Sequence, residues 1–265
     1  MKLKTSLNKF KRLHKSNQNQ SIFFSQKCTN YNFVENLYKF ILVKKNSFIF
    51  ESVERGEVRG RYTIIGYNPD KIFNFQKNKV VIDNFIKKKI LKTNTLNFLN
   101  DLIKNFKVKS SKDLPRMASM LVGYFSYDII RLIEKIPDNC EKDISIPDIR
   151  LMRPKNLVIY DNLKKKIYYI KNIFNDFKIE NYELEYYKIQ KEFRELQNFS
   201  QIRLPENFHK NKNLIKIRSN ISKDKFKKNV LRAKNYIKKG DVFQVVLSQR
   251  FETKIEKPPL EIYNT

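Results

Sequence analysis

Five of the 265 residues are glycine, and their positions constrain the fold more than any other feature of the chain. Glycine alone enters left-handed backbone and close approaches without a steric cost. A chain this poor in it is expected to keep each one where geometry requires it. Gly56, Gly60 and Gly66 lie in the segment Glu51 to Asp70, Gly123 lies in Leu121 to Asp128, and Gly240 follows a helical pattern. These segments are therefore where special backbone geometry is expected.

The rest of the composition is that of a folded chain. Hydrophobic residues make up 41%, too many for a disordered polymer, and the length suits one large domain or two smaller ones. The formal charge of +28 raises the alternative of a nucleic-acid binder. Such binding needs the charge gathered on one face, whereas Lys is dispersed here, its densest runs being Lys87 to Lys89, Lys164 to Lys166, and Lys227 with Lys228. Lys, Asn, Ile, Phe and Tyr all have A/T-rich codons, so the charge reads as a base-composition bias, and no nucleic-acid partner is expected. Cys28 and Cys140 are too sparse for a metal site or disulfide framework, and reduced, cytoplasmic thiols are expected. His14 and His209 lie in polar stretches and read as surface residues. No run approaches the length of a membrane span, and no signal-peptide core follows the basic N-terminus.

Periodicity divides the chain. Residues 1–20 read as a basic arm. A strand is expected at Ser21–Phe24, and a helix at Asn32–Phe40 with Phe33, Leu37 and Phe40 on its apolar face. Strands are expected at Ser47–Ser52, Arg61–Gly66, Lys71–Phe75 and Val80–Ile82, the last two forming a hairpin. A helix over Leu96–Phe106 has Leu96, Leu99, Ile103 and Phe106 aligned. A strand at Met117–Phe125 and a short helix at Asp128–Ile133 follow. A second hairpin pairs Asn156–Tyr160 with Lys166–Ile170, and Asn181–Gln197 is helical. Residues 198–213 read as a linker. Beyond it Ser222 can cap a helix over Lys223–Lys239, with Phe226, Val230, Ala233 and Ile237 as its apolar stripe and Gly240 in the left-handed position after its end. Val242–Phe251 then reads as a strand. Pro258 and Pro259 announce a further helix that Thr265 cuts after barely one turn, so the polypeptide is expected to have continued.

Four segments carry a resemblance to a known family. The first runs from Glu51 through Gly60, Arg61, Tyr62 and Ile65 to Gly66 and the pair Asn68-Pro69. The second is Val122 to Asp128 with Arg131, Glu134 and Pro137. The third is Asp148 to Met152, followed by an apolar strand and Asp161. The fourth runs from Ser219 through the Ser222 helix and Gly240 to Phe251. Together they resemble the front portion of anthranilate synthase component I, the large subunit, among the chorismate-utilising enzymes. Ser119, Met120 and Ser126 stand where that family usually has glycine. The resemblance implies an α+β fold of mixed, mainly antiparallel sheets with flanking helices. It further implies a regulatory domain over 21–197 and, over 214–265, the incomplete start of a chorismate-binding catalytic domain.

The resemblance also implies a feedback site for L-tryptophan in the first domain. Ser52 and Glu51 would serve the ammonium end, and Arg61 the carboxylate, through its bidentate fork. The plainer alternative is that Glu51 and Arg61 pair with each other across the loop. The family's catalytic residues and the ligands of its Mg2+ are expected beyond residue 265, so no catalytic or metal residue is expected within the chain. Gln244 is a candidate for the active cavity, where a neutral side chain suits an ammonia nucleophile; an ordinary strand residue is as good a reading. The complete enzyme would convert chorismate and ammonia to anthranilate and pyruvate in tryptophan biosynthesis. A glutamine amidotransferase subunit, component II, would supply the ammonia. Aminodeoxychorismate synthase component I and a non-catalytic tryptophan-binding module are the alternatives.

Overall fold

The computed structural model describes residues 3–51, 60–139, 144–200 (199 and 200 by backbone only), 216–255 and 258–263. It comprises two compact units, Met1–Leu204 and Pro205–Thr265.

The first unit is built on a nine-stranded sheet. In chain order its elements are α1 (Leu7–Lys15), β1 (Asn19–Lys27), α2 (Tyr31–Leu42), β2 (Phe48–Glu51), β3 (Tyr62–Gln76), β4 (Lys79–Asp83), β5 (Lys88–Lys92), α3 (Thr95–Asn105), β6 (Val108–Lys109), β7 (Val122–Phe125), a 3-10 turn (Tyr127–Leu132), β8 (Ile149–Asp161), β9 (Lys166–Ile173) and α4 (Tyr182–Ser200). The strand order is β5-β4-β3-β8-β9-β1-β6, with β2 beside β3 and β7 beside β8. Only the β1–β6 pair is parallel among the described strands, as a mainly antiparallel α+β fold requires.

Period-two alternation gives this sheet two buried faces. One carries Phe23, Ile64, Leu157, Ile159, Tyr168 and Ile170, covered by Leu114 and Ala118. The other carries Tyr160 and Tyr169, which meet Tyr31 of α2 and Phe193 of α4. β9 is accordingly buried from Ile167 through Ile173. A separate cluster under α3 joins Phe73, Phe75, Val80, Leu99, Ile149 and Leu151.

Several elements differ from expectation for identifiable reasons. Residues expected as a basic arm form α1, capped by Ser6. Its Phe10 is fully buried and packs edge-on against Tyr182 of α4, a burial that contributes about 2–3 kcal/mol. Lysines around the Leu7, Phe10, Leu13 stripe lower its mean hydropathy and hide it. His14 is half-buried, with its ring nitrogens 3.0 Å from the Tyr182 hydroxyl and 2.9 Å from the Phe177 carbonyl.

The helices turn slightly different faces inward than expected. α2 buries Val34, Leu37, Tyr38 and Ile41. α3 presents Thr95, Phe98, Leu99 and Leu102 to the core, while Leu96 and Ile103 are exposed. Both follow the i, i+3, i+4, i+7 rule. The two strands expected over Arg61–Gly66 and Lys71–Phe75 are one, β3, with a register shift between Pro69 and Lys71. Pro69 has no N–H for the ladder, and Asn68 takes a left-handed φ of 52°. The Lys-rich run at 88–92 is an edge strand, where lysines discourage pairing with other chains.

In the second unit, α5 (Lys223–Lys238) begins as expected, with the Ser222 hydroxyl accepting from the Lys225 amide. Gly240 follows at φ 79°. The expected strand over Val242–Phe251 does not form. Only β11 (Phe251–Glu252) pairs, with β10 (Arg218–Ser219), because a strand exists only where a neighbour completes its ladder. α6 (Pro259–Tyr263) follows. The expected linker 198–213 and Cys140 lie mostly or wholly outside the described residues.

Gly123 is held by close approach: a Cβ there would lie 1.7 Å from the Arg150 carbonyl oxygen, across the β7–β8 ladder. Gly123→Ala is expected to lower stability by about 3 kcal/mol. Urea unfolding measures this, and a midpoint equal to that of the parent would refute the steric reading.

Candidate functional site

Two of the nominated site residues, Glu51 and Arg61, lie at one end of the sheet, where β2 ends, β3 begins and β8 ends. Glu51 is the last residue of β2 and lies opposite Thr63 of β3. Thr63 in turn lies opposite Tyr160 of β8. These cross-strand partners share one face of the sheet, the face covered by α2. Asn30 caps α2 through the Asn32 amide and so delivers Tyr31 over that end. The Tyr31 hydroxyl donates to the Glu51 carboxylate and lies 3.3 Å from Thr63 Oγ1. Its ring packs edge-on against Tyr160 at 5.6 Å between centroids. Burial, followed by the Glu51 contact, pushes the Tyr31 hydroxyl well above its ordinary pKa, so it stays a proton donor.

Arg61 turns to the other face. Its Nε and Nη2 close a fork on Asp161, at 3.0 and 2.8 Å. Its guanidinium lies 4.8 Å from the centre of the Tyr62 ring, which packs against the Tyr168 side of the core. Asp161 is almost completely buried and also accepts from the Lys164 amide at 3.1 Å. Burial opposes its charge, but the Arg61 fork and the Lys164 amide outweigh burial and hold its carboxyl below the ordinary carboxylate range.

The structure thus places Glu51 and Arg61 at the same end of the sheet but on opposite faces. The two do not pair with each other across the loop: Arg61 takes Asp161, and Glu51 takes Tyr31. Ser52 lies outside the described residues. Gln244 is exposed and outside any strand. Three residues join these contacts that the sequence does not nominate for the site, Asp161, Tyr31 and Thr63. Asp161 ends the third family-like segment, and that position was the available signal. Tyr31 and Thr63 carry none, because strand register and helix docking alone bring them to Glu51.

A second polar cluster lies on the α2 and α4 face. Glu192 of α4 accepts from Tyr67 at 3.2 Å, from Lys171 at 2.8 Å and from Asn156. It ties α4 to three strands and is a structural anchor. Among the described residues no group of three or more His, Cys, Asp or Glu could hold a metal ion. No described helix is long and apolar enough to cross a membrane.

Comparison with known proteins gives concordant matches. The family described as chorismate binding enzyme matches residues 45–265. Anthranilate synthase component 1 of Acetivibrio thermocellus is 37% identical over 222 residues, covering 82% of this chain and 45% of that protein. The protein of the same name from Cereibacter sphaeroides is 29% identical over 269 residues, covering 98% and 53%. The crystal structure of anthranilate synthase component I from Streptococcus pneumoniae TIGR4 superposes with a TM-score of 0.60 at 25% identity, covering 85% of this chain and 48% of that one. The chain spans about half the length of the curated relatives it matches.

The Arg61–Asp161 fork makes a pH-dependent contribution to stability. A carboxyl whose folded pKa is depressed stabilises fully above its unfolded value, about 3.9, and loses that contribution as the pH falls through the folded value. Urea midpoints recorded from pH 6 to pH 3 are expected to fall steeply below about pH 4 in the parent. Asp161→Asn is expected to lower the midpoint at pH 6 and flatten the acid limb. An unchanged acid limb would remove Asp161 from this account.

Proposed function

Because the chain belongs to the chorismate binding enzyme family, we propose that it supplies the front half of an anthranilate synthase component I. The reading is supported by the match of residues 45–265 together with relatives of that name aligned over most of the chain. The whole protein adds ammonia to the chorismate ring with loss of the 4-hydroxyl as water, then eliminates pyruvate to leave anthranilate. A glutamine amidotransferase subunit delivers the ammonia. In this proposal the catalytic groups and the ligands of Mg2+, which offsets the substrate's carboxylate charge, belong to residues outside this chain. No step is assigned to the described residues. Gln244 remains our candidate for a residue of the cavity wall.

The first unit is proposed as the regulatory part. Glu51, which lies on the α2 face of the sheet, and Ser52 take the ammonium of L-tryptophan. Tyr31, Thr63 and Tyr160 line that face, a set of acceptors and aromatic surface suited to an aromatic amino acid. Arg61 is committed to Asp161 on the opposite face; its proposed role is to hold the start of β3 in place beside the site.

The test uses the full-length protein. With chorismate, an ammonium salt and Mg2+ it is expected to form anthranilate, followed by fluorescence, and L-tryptophan is expected to inhibit. Ser52→Ala should raise the inhibitory concentration roughly tenfold, as loss of a hydrogen bond to a charged group does. Formation of aminodeoxychorismate would overturn the catalytic reading, and undiminished inhibition of the Ser52→Ala enzyme would overturn the effector assignment.

A further inference from the structure

We infer that the β4–β5 hairpin is a docking tip for an anionic lipid surface, with Phe85 and Ile86 entering the headgroup layer and Lys87, Lys88 and Lys89 meeting the acidic headgroups. The hairpin forms one edge of the sheet, whose strand order begins β5-β4. Every residue from Phe85 to Ile90 is exposed. Phe85 is 52% exposed and Ile86 92%, and the three lysines follow them directly. Apolar side chains at a projecting tip, flanked by lysines, have the composition of an interfacial contact with an anionic bilayer. Such a contact lies on the membrane and needs no spanning helix.

The turn holds this presentation in place. The Asp83 carboxylate accepts from the Phe85 amide at 2.8 Å. The Asn84 side chain accepts from the Ile86 and Lys87 amides at 3.1 and 2.8 Å, and the Asn84 amide donates to the Lys87 carbonyl. Asp83 is the only acid between Lys79 and Lys92, and it is engaged in the turn, with Lys88 Nζ 3.9 Å away. Phe85 sits at a left-handed φ of 67°, which Asn tolerates and a bulky residue does not favour. Closing the turn alone would therefore be served better by Asn. A backbone already fixed also loses little freedom on docking. Base composition accounts for the number of lysines in the chain, but not for two apolar residues set beside three of them at a tip. A protein partner fits less well. Lys is depleted in protein interfaces, and this tip falls far short of the roughly 20 residues a stable interface engages on each side. Point charges on flexible stems suit mobile headgroups, which impose no fixed geometry.

The experiment is flotation of the 265-residue chain with vesicles of phosphatidylcholine, either alone or with about a third phosphatidylserine. The parent is expected to float with the anionic vesicles only, and to be released as salt is raised. The chain contains no tryptophan, so Ile86→Trp supplies a single reporter, whose emission is expected to shift to the blue on anionic vesicles. Phe85→Asn combined with Ile86→Ser is expected to weaken binding roughly tenfold. Lys87→Gln, Lys88→Gln and Lys89→Gln together are expected to weaken it roughly a hundredfold, about fivefold for each lysine. The control replaces three exposed lysines of α5, Lys225, Lys227 and Lys228, with Gln and is expected to change binding by no more than about twofold. Thermal melts establish that the variants are folded. Failure of the parent to float with anionic vesicles overturns the inference, as does an emission in Ile86→Trp that the vesicles leave unchanged. Undiminished binding by the Phe85→Asn, Ile86→Ser variant overturns it too. So does an equal loss in the α5 control, the signature of diffuse charge. Self-association of the lipid-free parent that the Phe85→Asn, Ile86→Ser variant abolishes would assign the tip to a second copy of the chain and likewise overturn it.

Discussion

The first unit depends on the antiparallel ribbon formed by β3 and β8. It runs from the Tyr62–Asp161 pair to the Phe75–Ile149 pair. Four strands attach to it directly, β2 and β4 to successive halves of β3 and β9 and β7 to successive halves of β8, and β1 joins through β9. At its middle two prolines, Pro69 and Pro154, face each other, and neither can donate to the ladder. Side chains supply the connection that the backbone lacks there. Arg153, almost fully buried, forks on Asp70 at 2.9 and 2.5 Å and reaches Asp176 at 2.9 Å. Its guanidinium lies 3.9 Å from the centre of the Phe174 ring. Removing one partner of such a buried cluster would leave a charge unpaired in a low-dielectric setting, so the bend is fixed by charge.

The two halves of the ribbon have different surroundings. The half that ends at Asp161 is covered on both faces, and its end carries the candidate effector site. The half that ends at Ile149 packs on α3 and β7, where Gly123 approaches the Arg150 carbonyl too closely for any side chain. Period-two alternation then decides which residues can cooperate. Glu51, Thr63 and Tyr160 follow one another across three strands and share a face. Arg61 sits just outside the ladder and turns to Asp161 on the other face. A tetrahedral ammonium binds well in a cluster of fixed acceptors, whereas a guanidinium already closed on a buried carboxylate serves to hold the backbone. The same sheet end thus carries the proposed recognition face on one side and the Arg61–Asp161 anchor on the other.

Much of this was legible in the residues, and the failures have physical causes. Caps and terminators read well because they act locally: Ser222 on the Lys225 amide and Gly240 at positive φ are where the sequence puts them. Most strands and helices were recognisable by period. The buried faces of α2 and α3 were each displaced, because several apolar residues on each helix left a choice that only packing against the sheet could make. α1 is hidden from period analysis because its stripe is narrow and surrounded by lysines. Alternation over 242–251 does not make a strand, since it describes a capacity for pairing and not the presence of a neighbour. Glu51 could be nominated from its segment; Tyr31 and Thr63 could not.

The sequence by itself determined what depends on neighbours along the chain: the caps, the turns, the glycine sites, the period of each element and the order of segments that marks the family. Tertiary structure alone decided what depends on register and docking. It set Tyr31 against Glu51, sent Arg61 to Asp161, and brought Glu192 to Tyr67, Asn156 and Lys171. These contacts join residues separated by 20 to 125 positions. A shift of one residue in a strand would turn each side chain to the other face. No local pattern encodes that choice, because it is made by how the two buried faces of the sheet can be covered together.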